Sequence, residues 1–173
     1  MSEVHKNDRE PIPELLRFQT LARDIDLEAT RLGSKVVPKT YRFTIGVPMA
    51  NAADAMAELV DESLEHFPSN SVAAQERRRC YSQAVAKAKT VKREANKMIR
   101  ISERHRKDTG EYLVKPSAFA KLVEDANEFI ACVHGLKKNV RVKGVESVED
   151  AIAWHLAQIE ALDAIQSGDV APC

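Results

Sequence analysis

From Asn70 to Lys107 the chain runs for 38 residues without a glycine or a proline. Ala84, Ala88, Val91, Ala95, Met98 and Ser102 recur within this stretch at intervals of four and three. Lys89, Arg93, Lys97, Arg100, Arg104 and Lys107 recur at similar intervals on the other side. Both series follow the 3.6-residue period of a helix, and neither follows the two-residue period of a strand. The pattern predicts one long helix that turns small apolar residues inward and a basic ridge outward. Between Gln75 and Lys107 there are twelve Lys and Arg against three Glu, a local charge of +9 in a chain whose net charge is zero. The signs are therefore segregated along the chain.

The surrounding composition fits a helical domain. At 173 residues the chain suits one domain, able to bury about 70% of its unfolded surface. Apolar residues make up 44% and charged residues 30%, which are globular values. Aromatics are only 5%, and Ala, Leu, Glu, Lys and Arg are abundant, which favours helix over sheet. No apolar run approaches the ~20 residues of a membrane span. The polar start MSEVHKNDREP lacks the apolar centre of a secretory signal, so a cytoplasmic protein is expected. Cys80, Cys132 and Cys173 are an odd, scattered set that suggests no disulfide framework.

Residues 1–10 read as a flexible tail. Pro11 and Pro13 introduce a first helix whose stripe is Leu15, Leu16, Leu21, Ile25, Ala29 and Leu32, closed by Gly33 as a C-cap residue. Ser34 to Pro48 reads as a connector, with Tyr41 and Phe43 plugging the end of the bundle. A second helix resumes at Met49 and carries Ala52, Ala53, Met56, Leu59, Val60, Leu64 and Phe67. Its expected exposed positions Asp54, Glu58, Asp61, Glu62 and Glu65 are acidic, with no Lys or Arg, which makes it a natural neighbour of the basic helix. Ser69, Asn70 and Ser71 offer caps for the third helix, and Asp108, Thr109 and Gly110 end it. Pro116 opens a fourth helix through Phe119, Leu122, Val123, Ala126, Phe129, Ile130 and Val133. After a linker at Val140–Gly144, Ser147 begins a last helix with the stripe Ile152, Leu156, Ile159, Leu162 and Ile165, and Gly168 onward is a tail. The expected organisation is a four-helix bundle over residues 11–139 and an acidic C-terminal helix and tail over 140–173. The fold class is all-α, an up-down-up-down bundle with one extra helix, in an oligomeric protein.

Catalytic signals are nearly absent. The chain lacks a Gly-rich phosphate loop, a nucleophile elbow and a His-rich metal motif. His5, His66, His105, His134 and His155 are scattered. Glu62 to His66 is one residue too long for the Glu-x-x-His of di-iron bundles, and Glu103 to His105 is too short. Cys132 and His134 would point about 200° apart on a helix, and no second pair completes a zinc site. No enzyme activity, metal or cofactor is expected. The ridge has three readings: a solvated helix face, a surface for phosphate backbones, or a docking face for an acidic protein. With Tyr81 as the one aromatic nearby, base stacking is not suggested. Lys89, Arg93, Lys97, Arg100 and Arg104 are the candidate contacts, with Arg77, Arg78 and Arg79 in support.

The segment VPKTYRFTIG, Val37 to Gly46, followed by an apolar helix, resembles a known family. These are the four-helix-bundle proteins of the 23S rRNA intervening sequence, and more nearly the accessory variability determinant (Avd) proteins of diversity-generating retroelements. Pro38, Lys39, Arg42 and Phe43 match their Pro-basic-x-x-Arg-Phe-like segment, and Ile130 and Gly135 loosely match a later Ile-x-x-x-x-Gly-like pattern. The likeness covers roughly Leu15 to Lys138. It implies a basic bundle that forms a ring-like homopentamer. Such a bundle binds a reverse transcriptase and nucleic acid, RNA or DNA, and supports mutagenic copying without catalysis of its own. The alternative is a protein-only scaffold whose ridge docks an acidic surface. Pro48 falls where the relatives continue a helix, so a late start or a kink is expected there.

Overall fold

The structure, a computed structural model, describes residues 14–142 together with Glu149, Ile152, Ala153, His155, Leu156 and Ile159. No strand occurs among the described residues. Four long helices pack on one another: α1 (Glu14–Arg31), α2 (Val47–Glu65), α3 (Ser71–Thr109) and α4 (Pro116–Asn139). Helix α1 lies against α2 and α4, and α3 lies against the same two, so all four contribute to one core. The expected tails, residues 1–10 and from Gly168 on, lie outside the described residues, as do Leu162 and Ile165. Ile152, Leu156 and Ile159 are helical and more than half exposed.

The boundaries of α3 have local causes. Asn70 is extended and its side-chain oxygen accepts a hydrogen bond from the Ala73 N–H at 2.8 Å, capping the first turn. Gly110 ends the helix at φ 87°, and its N–H donates to the Arg106 carbonyl. Arg106 and Lys107 occupy the last turn, where the helix dipole favours cations. The six expected inward residues, from Ala84 to Ser102, are all fully buried. Ser102 is no misfit there: its hydroxyl donates to the Val114 carbonyl (2.7 Å) and accepts from the Val114 N–H, tying α3 to the chain just before α4.

Large residues from the neighbours fill the space beside the alanines. Phe18 of α1, which the apolar stripe of that helix did not include, meets Tyr81 edge-on at 5.8 Å and Phe129 at 6.4 Å. Tyr81 is therefore core and does not accompany the ridge. Val140, expected in a linker, is buried as well, whereas Phe67 lies past the end of α2 and is exposed.

The segment from Ser34 to Pro48 is more regular than a connector. A π-helical turn, Leu32–Val36, prolongs α1, and the Val37 N–H closes it on the Leu32 carbonyl at 2.8 Å. After Pro38 come a single α-turn, Lys39–Tyr41, and a second π-turn, Arg42–Gly46, that runs straight into α2. Pro48 sits in the first turn of α2, where its missing N–H leaves little unsatisfied, and the widened turn before it absorbs the disruption. Phe43 does not plug the bundle; it is 81% exposed.

Gly33 is not a left-handed cap either, since Gly110 is the one described glycine with positive φ. Its role is contact. A Cβ on Gly33 would lie 2.7 Å from the Gly46 carbonyl oxygen, and one on Gly46 would lie 2.8 Å from that of Gly33. The two π-turns touch backbone to backbone, where no side chain fits. Gly33→Ala and Gly46→Ala should each destabilise by roughly 1–3 kcal/mol through overpacking. Gly135→Ala in α4, where an added Cβ meets nothing within 4 Å, should instead stabilise by up to about 1 kcal/mol. Urea denaturation of the three variants checks the contrast, and a common sign would remove the close-contact account.

Candidate functional site

Burying one face of α3 fixes the direction of the other. Lys89, Arg93, Lys97, Arg100 and Arg104 are all exposed. At 1.5 Å rise per residue they span about 22 Å of helix, roughly six to seven nucleotide steps along one strand of a duplex. Lys89, Arg100 and Arg104 have no ion-pair partner among the described residues. Their ammonium and guanidinium groups are free to meet an anion.

The middle of the ridge is built differently. Glu94, only 2% exposed, accepts a hydrogen bond from Arg93 Nε at 2.8 Å and two from Lys97 Nζ at 2.9 and 3.0 Å. Burial pushes the Glu94 carboxyl up, but the bonds from Lys97 and Arg93 and the charges behind them outweigh it, leaving the group below the usual glutamate range. A carboxylate set at the base of the ridge thus orients two of its five cations and cancels one of their charges.

Arg77, Arg78 and Arg79 lie elsewhere. Three consecutive helical residues fan over 200°, and each has found its own partner. Arg77 Nε donates to the Tyr81 hydroxyl (3.0 Å) and its guanidinium lies 5.8 Å from that ring. Arg78 donates to the Val140 carbonyl, binding the chain after α4 to α3. Arg79 reaches Glu76 at 2.6 Å, Glu62 of α2 at 3.0 Å and Gln83 at 3.1 Å. The Arg79–Glu62 pair is one point where the acidic helix meets the basic one. A cation from outside α3 joins the ridge side instead: Lys137, in the last turn of α4, donates to Ser82 at 2.7 Å. No pattern along α3 points to it, because only packing sets α4 beside that helix.

The segment carrying the family resemblance forms the turn before α2. Pro38 and Arg42 are half-buried, Lys39 is exposed, and Phe43 projects into solvent. The Arg42 Nε is buried without a hydrogen-bond partner among the described residues. Among nucleophiles, the buried Cys80 thiol is pushed up to about 11 by desolvation and by the charge of Glu62, so it stays protonated near neutrality.

The Glu94 cluster has a pH signature. A carboxyl held below its ordinary value contributes stability above about pH 4.3, its unfolded value, and loses it as pH falls through the lower folded value. Glu94→Gln should therefore flatten the acid limb of a urea-midpoint profile taken from about pH 6 to pH 3. An acid limb identical to wild type would mean that Arg93 and Lys97 do not hold this carboxylate in solution.

Comparison with family models, with curated proteins and with solved structures finds no match to this chain, so a functional reading rests on the ridge and on the resemblance of the Pro38–Phe43 segment.

Proposed function

We propose that this chain is a non-catalytic accessory factor that binds a reverse transcriptase and nucleic acid through the ridge on α3. The carrying observation is the line of five exposed cations, Lys89, Arg93, Lys97, Arg100 and Arg104, on one face of an uninterrupted helix. Such a line neutralises successive phosphates without reading bases. The reverse transcriptase enters through the family resemblance, as does assembly into a homopentamer. Repetition of the ridge around a ring multiplies the positive field that steers a polyanion.

The bundle itself is read as up-down-up-down. Connectors of five residues (66–70) and six residues (110–115) favour antiparallel neighbours. The bonds Lys137 to Ser82 and Lys92 to Asn127 support this, since the later residue of α4 meets the earlier residue of α3. A second reading, a protein-only scaffold that docks an acidic surface, draws on the Arg79–Glu62 pair, which shows this helix accepting protein carboxylates.

Anisotropy of a labelled RNA and of a labelled DNA duplex, titrated at increasing salt, separates the two. Phosphate binding should weaken with log salt at a slope of about 0.9 per contact on duplex. The triple variant Lys89→Glu, Arg93→Glu, Arg100→Glu should lose nucleic-acid binding while keeping its helical circular dichroism and thermal midpoint. Binding unchanged by the three reversals overturns the ridge as the interface. Light scattering at low salt should find a multimer that gains mass with RNA.

A further inference from the structure

Away from the ridge, three different metal-ligating groups meet where α2 passes to α3. Glu62 stands in the last turns of α2, and His66 lies one helical turn later as its C-cap residue. Cys80 comes from the third turn of α3 and returns to them because residues 66–70 reverse the chain. A carboxylate oxygen, an imidazole nitrogen and the thiol sulfur lie within 4.8 Å of one another. Glu62 Oε1 is 3.9 Å from His66 Nε2. Ligands at 2.0–2.3 Å around a tetrahedral ion stand about 3.3–3.6 Å apart, so a contraction of at most about 1.5 Å makes a coordination shell.

We propose that Glu62, His66 and Cys80 bind a borderline divalent cation, zinc above all, as a clamp between α2 and α3. The donor set selects the ion: sulfur, nitrogen and oxygen together suit zinc, whereas magnesium and calcium take oxygen ligands. Access fits as well. The thiol is fully buried at the base, while Glu62 and His66 are part-exposed, giving an ion a way in from solvent. Three protein ligands leave the fourth position to water or to an outside ligand. The cation also sits at the C-terminal end of α2, whose last turn carries no basic residue to answer the helix dipole. Binding converts the Cys80 thiol to a thiolate and releases one proton to solvent, with no change of oxidation state.

Arg79 is the competitor for this site. Its Nη2 lies 3.0 Å from Glu62 Oε1, and it must yield that carboxylate to the ion. It can do so and stay paired, because Glu76 holds it at 2.6 Å and Gln83 at 3.1 Å. This predicts an unusual sign: Arg79→Ala should tighten metal binding severalfold, although it removes an ion pair.

The test is titration of the full, reduced chain with Co²⁺ as a spectroscopic probe, followed by displacement with Zn²⁺. One cobalt per chain should bind with a thiolate-to-cobalt charge-transfer band and intense tetrahedral d–d bands, both lost on adding zinc. His66→Ala and Glu62→Gln, on part-exposed side chains that the core does not need, should each weaken binding by at least the roughly 10- to 100-fold that even outer-shell changes cost. Cys80→Ala should abolish the charge-transfer band. The double variant Cys132→Ala, Cys173→Ala should keep it. A band that survives Cys80→Ala, an affinity indifferent to His66→Ala, or no band at all overturns the proposal. Should Cys80→Ala fail to fold, His66→Ala and Arg79→Ala decide it by their opposite shifts.

Discussion

The close approach of the neighbouring helices to the alanine face of α3 is the constraint on which the rest depends. Ala84, Ala88 and Ala95 each offer one methyl group, so the seam is stable only if larger side chains from other helices fill it. Phe18, Met49, Met56, Phe119, Leu122 and Phe129 supply that volume and are fully buried. The division of labour has a geometric consequence. A helix with a small-residue face can be held close on two sides while its opposite face stays bare. The bare face is the basic one, and the packing of α3 sets the direction in which that face points.

Charge of one sign along a single helix carries a cost, since like charges three and four residues apart repel. Glu94 lowers that cost at the middle of the ridge. It lies beside the core yet touches two of the cations, so it offsets charge without occupying the outward surface. Arg93 and Lys97 are thereby held by a carboxylate, whereas Lys89, Arg100 and Arg104 meet none among the described residues. An incoming polyanion would meet two kinds of cation: ones already oriented, which lose little entropy on contact, and ones still free, which contribute their full charge.

How much of this was legible in the sequence depended on the range of the cause. The extent of α3, its caps at Asn70 and Gly110, and its six inward residues follow from local chemistry and a 3.6-residue period, and all appear as expected. The turns between α1 and α2 did not, because π-helical turns have no sequence period of their own and Gly33 owes its place to Gly46, thirteen residues on. Tyr81 looked like part of the basic stretch because an aromatic among arginines reads as exposed; Phe18, on another helix, is what covers it. Arg77, Arg78 and Arg79 read as a cluster in a string of letters, but a helix separates neighbours by 100°, and the three serve three different contacts. The Glu62, His66 and Cys80 group was hidden for a related reason: a four-residue spacing matched no motif, and its third member lay beyond a turn.

Helix α2 is held at both ends by contacts of opposite kinds. At its start the Gly33–Gly46 contact is steric and admits no side chain. At its end Glu62 meets Arg79 through charge, beside His66 and Cys80, in contacts that salt, protons or a cation can alter. Nineteen residues make α2 about 28 Å long against about 58 Å for α3, so it can cover only half of its neighbour. The turn Arg42–Gly46, which carries the exposed Phe43, runs straight into the start of α2, so an aromatic ring stands in solvent at that end of the helix.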